Sequence, residues 1–308
     1  MPIELIVARE LRRRGDSTRA LELGTRAGRF VRIRPGVYAV AAEWHAATAR
    51  ERHHAAMDAL LSTTAQSRIF SHESAALVHG LPLIGPWPSA PHVLEIRDAS
   101  RRPPRGVIVH QPMRLPEVVT VGRMSATSPD RTAVDLAASR SLAAGVGAFD
   151  HVLRGGRSRE DLERMIAASR PFHGVRRAVR ALEIANGLAE SPLESLSLAR
   201  IHEGGFPSPL QQIDVEARGS AYRVDFFWPD AGVVGEADGR VKYRTRADLW
   251  TEKRREDHLR SLGLSVARWD WDDAWAGAPL FRSLTEAGLT SSPHYAYRSA
   301  PNAADRYA

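Results

Sequence analysis

The chain has 308 residues, a net charge of +7 and no cysteine, and its pI is near 10.3. The length predicts two or three domains, and the positive charge suits a polyanionic partner such as DNA. The lack of cysteine excludes a disulfide framework and a zinc site built on thiolates. No apolar run approaches the ~20 residues that a membrane helix needs. The first residues also lack the pattern of a signal peptide, so we expect a cytoplasmic protein with no membrane contact.

Residues 1–65 predict a small basic domain. Helical spacing of apolar residues predicts one helix in IELIVARELRRRG and a second in STRALELGTRAG, ending at Gly15 and Gly28. FVRIRPGVYAV then alternates apolar and basic residues around Pro35-Gly36, which indicates a β-hairpin. This order is typical of a winged helix-turn-helix, whose helix enters the DNA major groove. The alternative is a solvated basic face on a small helical bundle. The residues expected to contact DNA are Arg19, Arg26, Arg29, Arg32 and Arg34.

Three segments in the front half of the chain resemble segments of one known family. They are GRFVRIRPGVYAV, FSHESAALVHGLPL at 70–83 and TSPDRTAVDLAAS at 127–139. With the helix pair, they resemble the abortive-infection type IV antitoxin family (AbiEi). The resemblance implies a DNA-binding head followed by a mixed α/β middle domain, which we place at 66–187. It leaves open whether a partner toxin exists.

The histidines of the front half show no metal-binding spacing. They include His53, His54, His72 and His79, which do not match a zinc pattern such as HExxH. We therefore expect them to be structural or surface residues. A Gly-rich phosphate loop and a serine-nucleophile elbow are also missing from the sequence.

Residues 188–290 predict a third domain of mixed structure. SPLESLSLARIHEGG predicts a helix, and IDVEARGSAYRVDFFWPDAGVVGEADG predicts three successive strands with turns at Arg218-Gly219 and Pro229-Asp230. A charged helix, LWTEKRREDHLRSLG, and a strand, SVARWDW, complete it. Helix, β-meander, helix and strand is the core order of the restriction-endonuclease-like PD-(D/E)xK nucleases. The fold class is therefore α+β multidomain. The polar tail, 291–308, is expected to be disordered.

Acidic residues lie within or at the end of two of these strands. Asp225 interrupts the apolar strand YRVDFFW, and Glu236 and Asp238 share one face of the next strand because they are two apart. If the two strands pair antiparallel through the Pro-Asp turn, Asp225 and Glu236 approach each other. Converging carboxylates suit Mg²⁺ or Mn²⁺, which needs hard oxygen ligands and open positions for water and phosphate.

Three neighbouring residues have competing interpretations. Glu194 fits either a third acid of the site or the Glu of a capping box begun by Ser191. Lys242 and Lys253, the two lysines of the chain, fit either transition-state stabilisation or, for Lys253, a solvated helix face. Arg254 and its neighbour Arg255 suit phosphate contacts better than catalysis.

VDFFWPDAGVVGEADGRVKY and the following EKRREDHLRSLGLSVARWDW resemble the endonuclease-like family related to very-short-patch repair endonucleases, within the PD-(D/E)xK superfamily. The resemblance implies that Asp225 and Glu236 bind metal, with Asp238 and Glu194 beside them. The chain departs from the superfamily pattern because Asp238 stands where a Lys is expected, and Lys242 supplies a displaced cation. Two hypotheses follow: a metal-dependent DNA endonuclease, or a non-enzymatic DNA-binding regulator of antitoxin type with a degenerate nuclease domain.

Overall fold

A computed structural model describes residues 3–64, 68–95, 105–112, 116–169, 173–217, 220–237, 255 and 257–292. The chain forms two compact units, Met1–Leu136 and Ala137–Ala308. It is an α+β protein of more than one unit, as the sequence predicts. The division falls inside the predicted middle domain, and the boundaries near residues 65 and 187 stay predictions.

The helices are α1 Ala8–Arg13, α2 Arg19–Arg26, α3 Ala41–Ala46, α4 Ala49–Thr63, α5 His72–His79, α6 Pro129–Ser139, α7 Leu142–Arg154, α8 Arg159–Ala168, α9 Val175–Ile184, α10 Pro192–Glu203, α11 Trp271–Ala276 and α12 Ala278–Glu286. Residues 257–261 are also helical. The strands are β1 Ile6–Val7, β2 Phe30–Arg34, β3 Val37–Val40, β4 Ile69–Phe70, β5 His92–Leu94, β6 Ile108–His110, β7 Val118–Val121, β8 Met124–Thr127, β9 Leu210–Ala217, β10 Ser220–Trp228, β11 Val233–Ala237 and β12 Ser265–Trp269.

A three-stranded sheet of order β1-β3-β2 opens the first unit. The predicted hairpin is confirmed, and its two-residue turn uses Gly36 at a φ of 83°, which glycine adopts without steric cost. The prediction that the first helix includes residues 3–7 is wrong. Ile6 and Val7 instead pair antiparallel with Tyr38 and Val37, so a partner some thirty residues away overrides the local helical pattern.

A five-stranded sheet, β6-β5-β4-β8-β7, follows in the same unit. Its core packs Met57 of α4 against Phe70 and Val93 of the sheet. Strand β5 pairs with β6, and the two strands run parallel. The connection is about as long as the dozen residues that a parallel crossover requires.

The second unit contains a four-stranded sheet of order β12-β11-β10-β9. Strands β9, β10 and β11 form the predicted antiparallel meander, and β12 joins β11 in parallel. The Trp269 indole N–H on β12 donates to the Ser197 hydroxyl of α10 at 2.7 Å, in a buried position. This bond ties the preceding helix to the last strand.

Near the predicted tail, Ser292 donates its backbone N–H to the Gly205 carbonyl at 2.7 Å. Residues 293–308 of that tail lie outside the described residues. Within the described part of the chain, no helix is long and apolar enough to cross a bilayer.

Candidate active site and nucleic-acid interface

Asp225 and Glu236 face each other on adjacent strands. The β10–β11 register pairs Phe226 with Gly235 and Phe227 with Val234, and its continuation places Asp225 opposite Glu236. Opposed residues of antiparallel strands have Cβ atoms about 5 Å apart. The predicted approach of the two acids is therefore confirmed. Asp225 Oδ2 also accepts the Ala237 backbone N–H at 2.8 Å, which holds this carboxylate against β11.

Gln212 links Asp225 to the third acid. Its side-chain amide donates to Glu194 Oε2 at 2.9 Å and lies 3.5 Å from Asp225 Oδ1. The Gln212 backbone has a φ of 56°, a left-handed conformation that is uncommon for residues other than glycine. Such strained backbone clusters at functional sites, and here it lies at the strand position between the two carboxylates.

Glu194 takes part both in capping α10 and in the acidic site, the two roles between which the sequence does not decide. The Ser191 hydroxyl accepts the Glu194 backbone N–H at 3.2 Å, as in a capping box. The Glu194 carboxylate, however, accepts the backbone N–H of Glu190 rather than that of the cap residue. Its second partner is Gln212, so the same buried carboxylate fixes the start of α10 and reaches the acidic cluster.

Glu236 is the most deeply buried acid of the cluster, with 5 % of its surface exposed. Burial, together with repulsion from Asp225, raises its pKa to about 7, although the Arg255 guanidinium opposes the rise. Arg255 Nη2 donates to Glu236 Oε1 at 2.7 Å and to the Arg223 carbonyl at 2.8 Å. At neutral pH this carboxyl group is poised between its neutral and charged forms, which suits a proton-transfer or metal-binding group.

Arg255 has a role that the sequence did not indicate. The sequence predicted that Arg255 contacts phosphate, but its guanidinium donates a hydrogen bond to Glu236. The EKRRED run signalled a cation near the site but not which one. Four predicted site residues lie outside the described residues: Asp238, Lys242, Lys253 and Arg254.

The exposed face of α2 carries two arginines, Arg19 and Arg26, and one acid, Glu22. Arg19, Leu23 and Arg26 follow helical spacing and are all exposed, whereas Leu21 packs against Ala8 and Tyr38 in the core of the first sheet. Gly24 is buried against the Phe30 ring. A Cβ at this position would lie 2.5 Å from that ring, so glycine allows the close contact. The helix is therefore seated on the hairpin with its basic side outward.

The hairpin adds two further exposed cations, Arg29 and Arg32. Arg34 differs from them because it is half-buried, and burial and the nearby Arg68 lower its pKa. Four of the five predicted DNA-contacting arginines therefore lie at the surface, and Arg34 lies partly beneath it.

Two of the histidines expected to be structural are hydrogen-bonded within the protein. Both ring nitrogens of the buried His53 have partners, the Pro88 carbonyl at 2.7 Å and the Ser74 hydroxyl at 2.9 Å. His79 lies 2.7 Å from the Thr127 carbonyl. His54 is at the surface beside Asp58. These three histidines fit the expected roles.

Comparison with known proteins gives relatives but no family. No protein-family model matches the chain. Two curated Mycobacterium tuberculosis proteins, "Uncharacterized protein MT2308" of strain CDC 1551 / Oshkosh and "Uncharacterized protein Rv2248" of strain H37Rv, are each 31% identical over 167 residues, or 54% of this chain. The match spans 61% of the length of those relatives.

One solved structure, the crystal structure of the Rv2827c protein from Mycobacterium tuberculosis, aligns with 64% of this chain and 76% of its own. Its identity of 16% and TM-score of 0.36 carry no inference about the fold. The relatives therefore assign neither a family nor an activity to the chain.

Proposed function

We propose that this protein binds DNA and hydrolyses its phosphodiester bonds with Mg²⁺ or Mn²⁺ held by Asp225 and Glu236. The observation that carries the proposal is the opposition of these two carboxylates on β10 and β11, one of them buried. Mg²⁺ is commonly held by one or two carboxylates, with waters and substrate phosphate completing its shell. The donor set fits this ion, and a cation would relieve the repulsion between the two acids.

The bound ion would act as a Lewis acid that activates a water and neutralises charge on the phosphate. Asp225 is positioned for this by its bond to the β11 backbone, and Glu236 by the hydrophobic surroundings of its strand. Glu194 and Gln212 hold the far side of the cluster. Arg255 lies against Glu236 and offers a cation to a phosphate oxygen once that carboxylate turns to the metal. Asp238 and Lys242 complete the proposed catalytic set.

The fold assignments belong to the same proposal. Residues 1–65 would form a winged helix-turn-helix, supported by the order β1, α1, α2 and hairpin and by the basic face of α2. Residues 188–290 would form a PD-(D/E)xK domain, supported by the order of α10, the meander and β12. The basic head would bring the nuclease site to DNA in the cytoplasm, with Lys253 and Arg254 as further phosphate contacts.

A second function is favoured by the Arg255–Glu236 ion pair. A guanidinium at 2.7 Å neutralises the carboxylate without a metal, as expected of a nuclease-like domain that has lost its ion. The protein would then be a non-enzymatic DNA-binding regulator of antitoxin type, with a partner toxin as its further partner.

A cleavage assay separates the two functions. Supercoiled plasmid and short duplex, single-stranded, mismatched and branched DNA are incubated with the protein in Mg²⁺ or Mn²⁺. We expect nicking by the wild type and a loss of about 100-fold or more in Asp225→Asn and Glu236→Gln, because each removes a metal ligand while keeping the side-chain volume.

The controls are Asp214→Asn and Glu216→Gln, which make the same chemical changes at exposed positions of β9. They should cleave like the wild type. Binding without cleavage on every substrate would refute the nuclease and favour the regulator. Equal cleavage by Glu236→Gln and Glu216→Gln would show that the activity does not come from this site.

A further inference from the structure

Three histidines converge at the edge of the five-stranded sheet in the first unit. His72 begins α5, His92 begins β5 and His110 ends β6. One ring nitrogen of each lies within 4.8 Å of the others. The parallel pairing of β5 and β6 brings two of these rings together, and the start of α5 brings the third.

The contacts among these rings are close. His92 Nδ1 lies 3.0 Å from His110 Nε2, a separation that two nitrogens bound to one zinc ion can adopt at ordinary Zn–N lengths of about 2.0 Å. His72 stacks on His110, with ring centroids 3.6 Å apart. A metal bonds in the plane of an imidazole, so coordination by all three requires the His72 ring to tilt out of this stack.

Two buried carboxylates border the histidines. Glu73 Oε2 lies 2.8 Å from His92 Nδ1, and Asp135 Oδ2 lies 3.9 Å from His72 Nδ1. Glu73 is 2 % exposed and Asp135 is 7 % exposed. Carboxylates next to metal-bound imidazoles serve either as a further ligand or as the acceptor that fixes the ring orientation.

One nitrogen of the His92 ring faces the cluster. Its Nδ1 lies 2.8 Å from Glu73 Oε2 and 3.0 Å from His110 Nε2. A cation bound by Nδ1 and by His110 Nε2 would take a lone pair from each ring and would offset the charge of the Glu73 carboxylate. The other nitrogen of His92, Nε2, is buried without a hydrogen-bond partner and takes no part in this site, because one ion binds only one nitrogen of an imidazole.

The backbone of the cluster agrees with a ligand site. His72 has a φ of 51°, a strained conformation that tends to be retained where function requires it.

We propose that His72, His92 and His110 bind a divalent transition-metal ion of the zinc class, which ties α5 to the β5–β6 edge. Imidazole nitrogen favours Zn²⁺ over the hard Mg²⁺ ion of the proposed nuclease site. Glu73 lies beside His92, and water or this carboxylate would complete the coordination shell. The site requires no cysteine, and it does not depend on the proposed nuclease activity.

The test is zinc binding by full-length protein that carries no polyhistidine tag. After chelator treatment and dialysis, ZnCl₂ is titrated by calorimetry, and bound metal is counted by mass spectrometry. We expect a single tight ion per chain, and affinity at least about 100-fold lower in His110→Gln, because loss of even a supporting group costs 10–100-fold. Zinc at roughly 100 times its Kd should raise the Tm of the wild type by about 5–10 °C.

The matched control is His45→Gln, which makes the same change at an exposed histidine of the same unit and should bind zinc like the wild type. Equal zinc affinity in His110→Gln and the wild type, or no binding by the wild type, would overturn the proposal. If His110→Gln fails to fold, the wild type is loaded with Co²⁺. Intense visible ligand-field bands of a four-coordinate site support the proposal, and the pale spectrum of a six-coordinate aqueous ion overturns it.

Discussion

Replacing Glu236 by Gln should make the second unit more stable above neutral pH. Burial raises the pKa of Glu236 from 4.5 to about 7. Each unit of pKa difference between the folded and unfolded chain corresponds to about 1.4 kcal/mol. Because the folded pKa of this acid is the higher one, its contribution to stability is lost as pH rises from about 4.5 to about 7. Ionisation of Glu236 should therefore destabilise the wild type by roughly 3 kcal/mol relative to the Gln variant.

The assay follows urea unfolding of both proteins from pH 4 to 8 in chelator, with hydrogen exchange of peptides covering 220–237 as the readout. The chain has two units, so a signal from the whole chain would mix their unfolding. Hydrogen exchange of these peptides reports on the strands around Glu236 alone. Glu216→Gln on the exposed face of β9 is the control and should parallel the wild type. A stability difference between wild type and Glu236→Gln that does not change with pH would refute the buried, raised-pKa carboxyl group.

Two further predictions concern the basic head and the core of the second unit. Replacing Arg26, Arg29 and Arg32 together by Ala should weaken DNA binding and reduce the slope of log K against log salt by up to about 3, since each lost phosphate contact releases one counterion fewer; gel-shift titrations across salt measure both. Ser197→Ala should lower the free energy of unfolding by about 1–3 kcal/mol in urea titrations, because the buried Trp269 indole N–H loses its acceptor.

Control variants make the same substitutions at other positions, which separates site-specific effects from the general effect of losing charge or a hydroxyl group. Alanine at Arg157, Arg164 and Arg282, three exposed arginines of the second unit, removes the same charge; an equal loss of DNA affinity in this variant would contradict a specific interface on the head. Ser261→Ala removes an exposed hydroxyl and should change stability by less than about 0.5 kcal/mol. A Ser197→Ala variant as stable as Ser261→Ala would contradict a structural role for the indole bond.

Features of the second unit that depend on local pattern could be predicted from the sequence. Strand alternation and a turn after Trp228 predicted that Asp225 and Glu236 approach each other. The register that places them opposite comes from the longer connection, residues 229–232, which the sequence did not indicate. The SPLE phrase likewise placed the start of α10. The role of Glu194 was left open between capping of this helix and membership of the acidic site, since both roles have the same sequence signature.

Features that depend on distant partners could not be predicted. Residues 6 and 7 form a strand because β3 lies beside them, although their apolar spacing suits a helix. Arg255 reaches Glu236 from a separate helical segment, and its spacing alone suggested a phosphate contact. The histidine cluster draws His72, His92 and His110 from a helix and two parallel strands, so no short motif spans it.

Binding of Mn²⁺ measured by electron paramagnetic resonance tests most directly whether the opposed carboxylates hold a catalytic cation. Mn²⁺ is titrated into wild type, Asp225→Asn, Glu236→Gln and the control Glu216→Gln, with and without a DNA duplex. Our interpretation predicts a bound ion in the wild type and in Glu216→Gln that is lost in both Asp225→Asn and Glu236→Gln. Equal Mn²⁺ binding by all four proteins, or none by the wild type with DNA present, would contradict it.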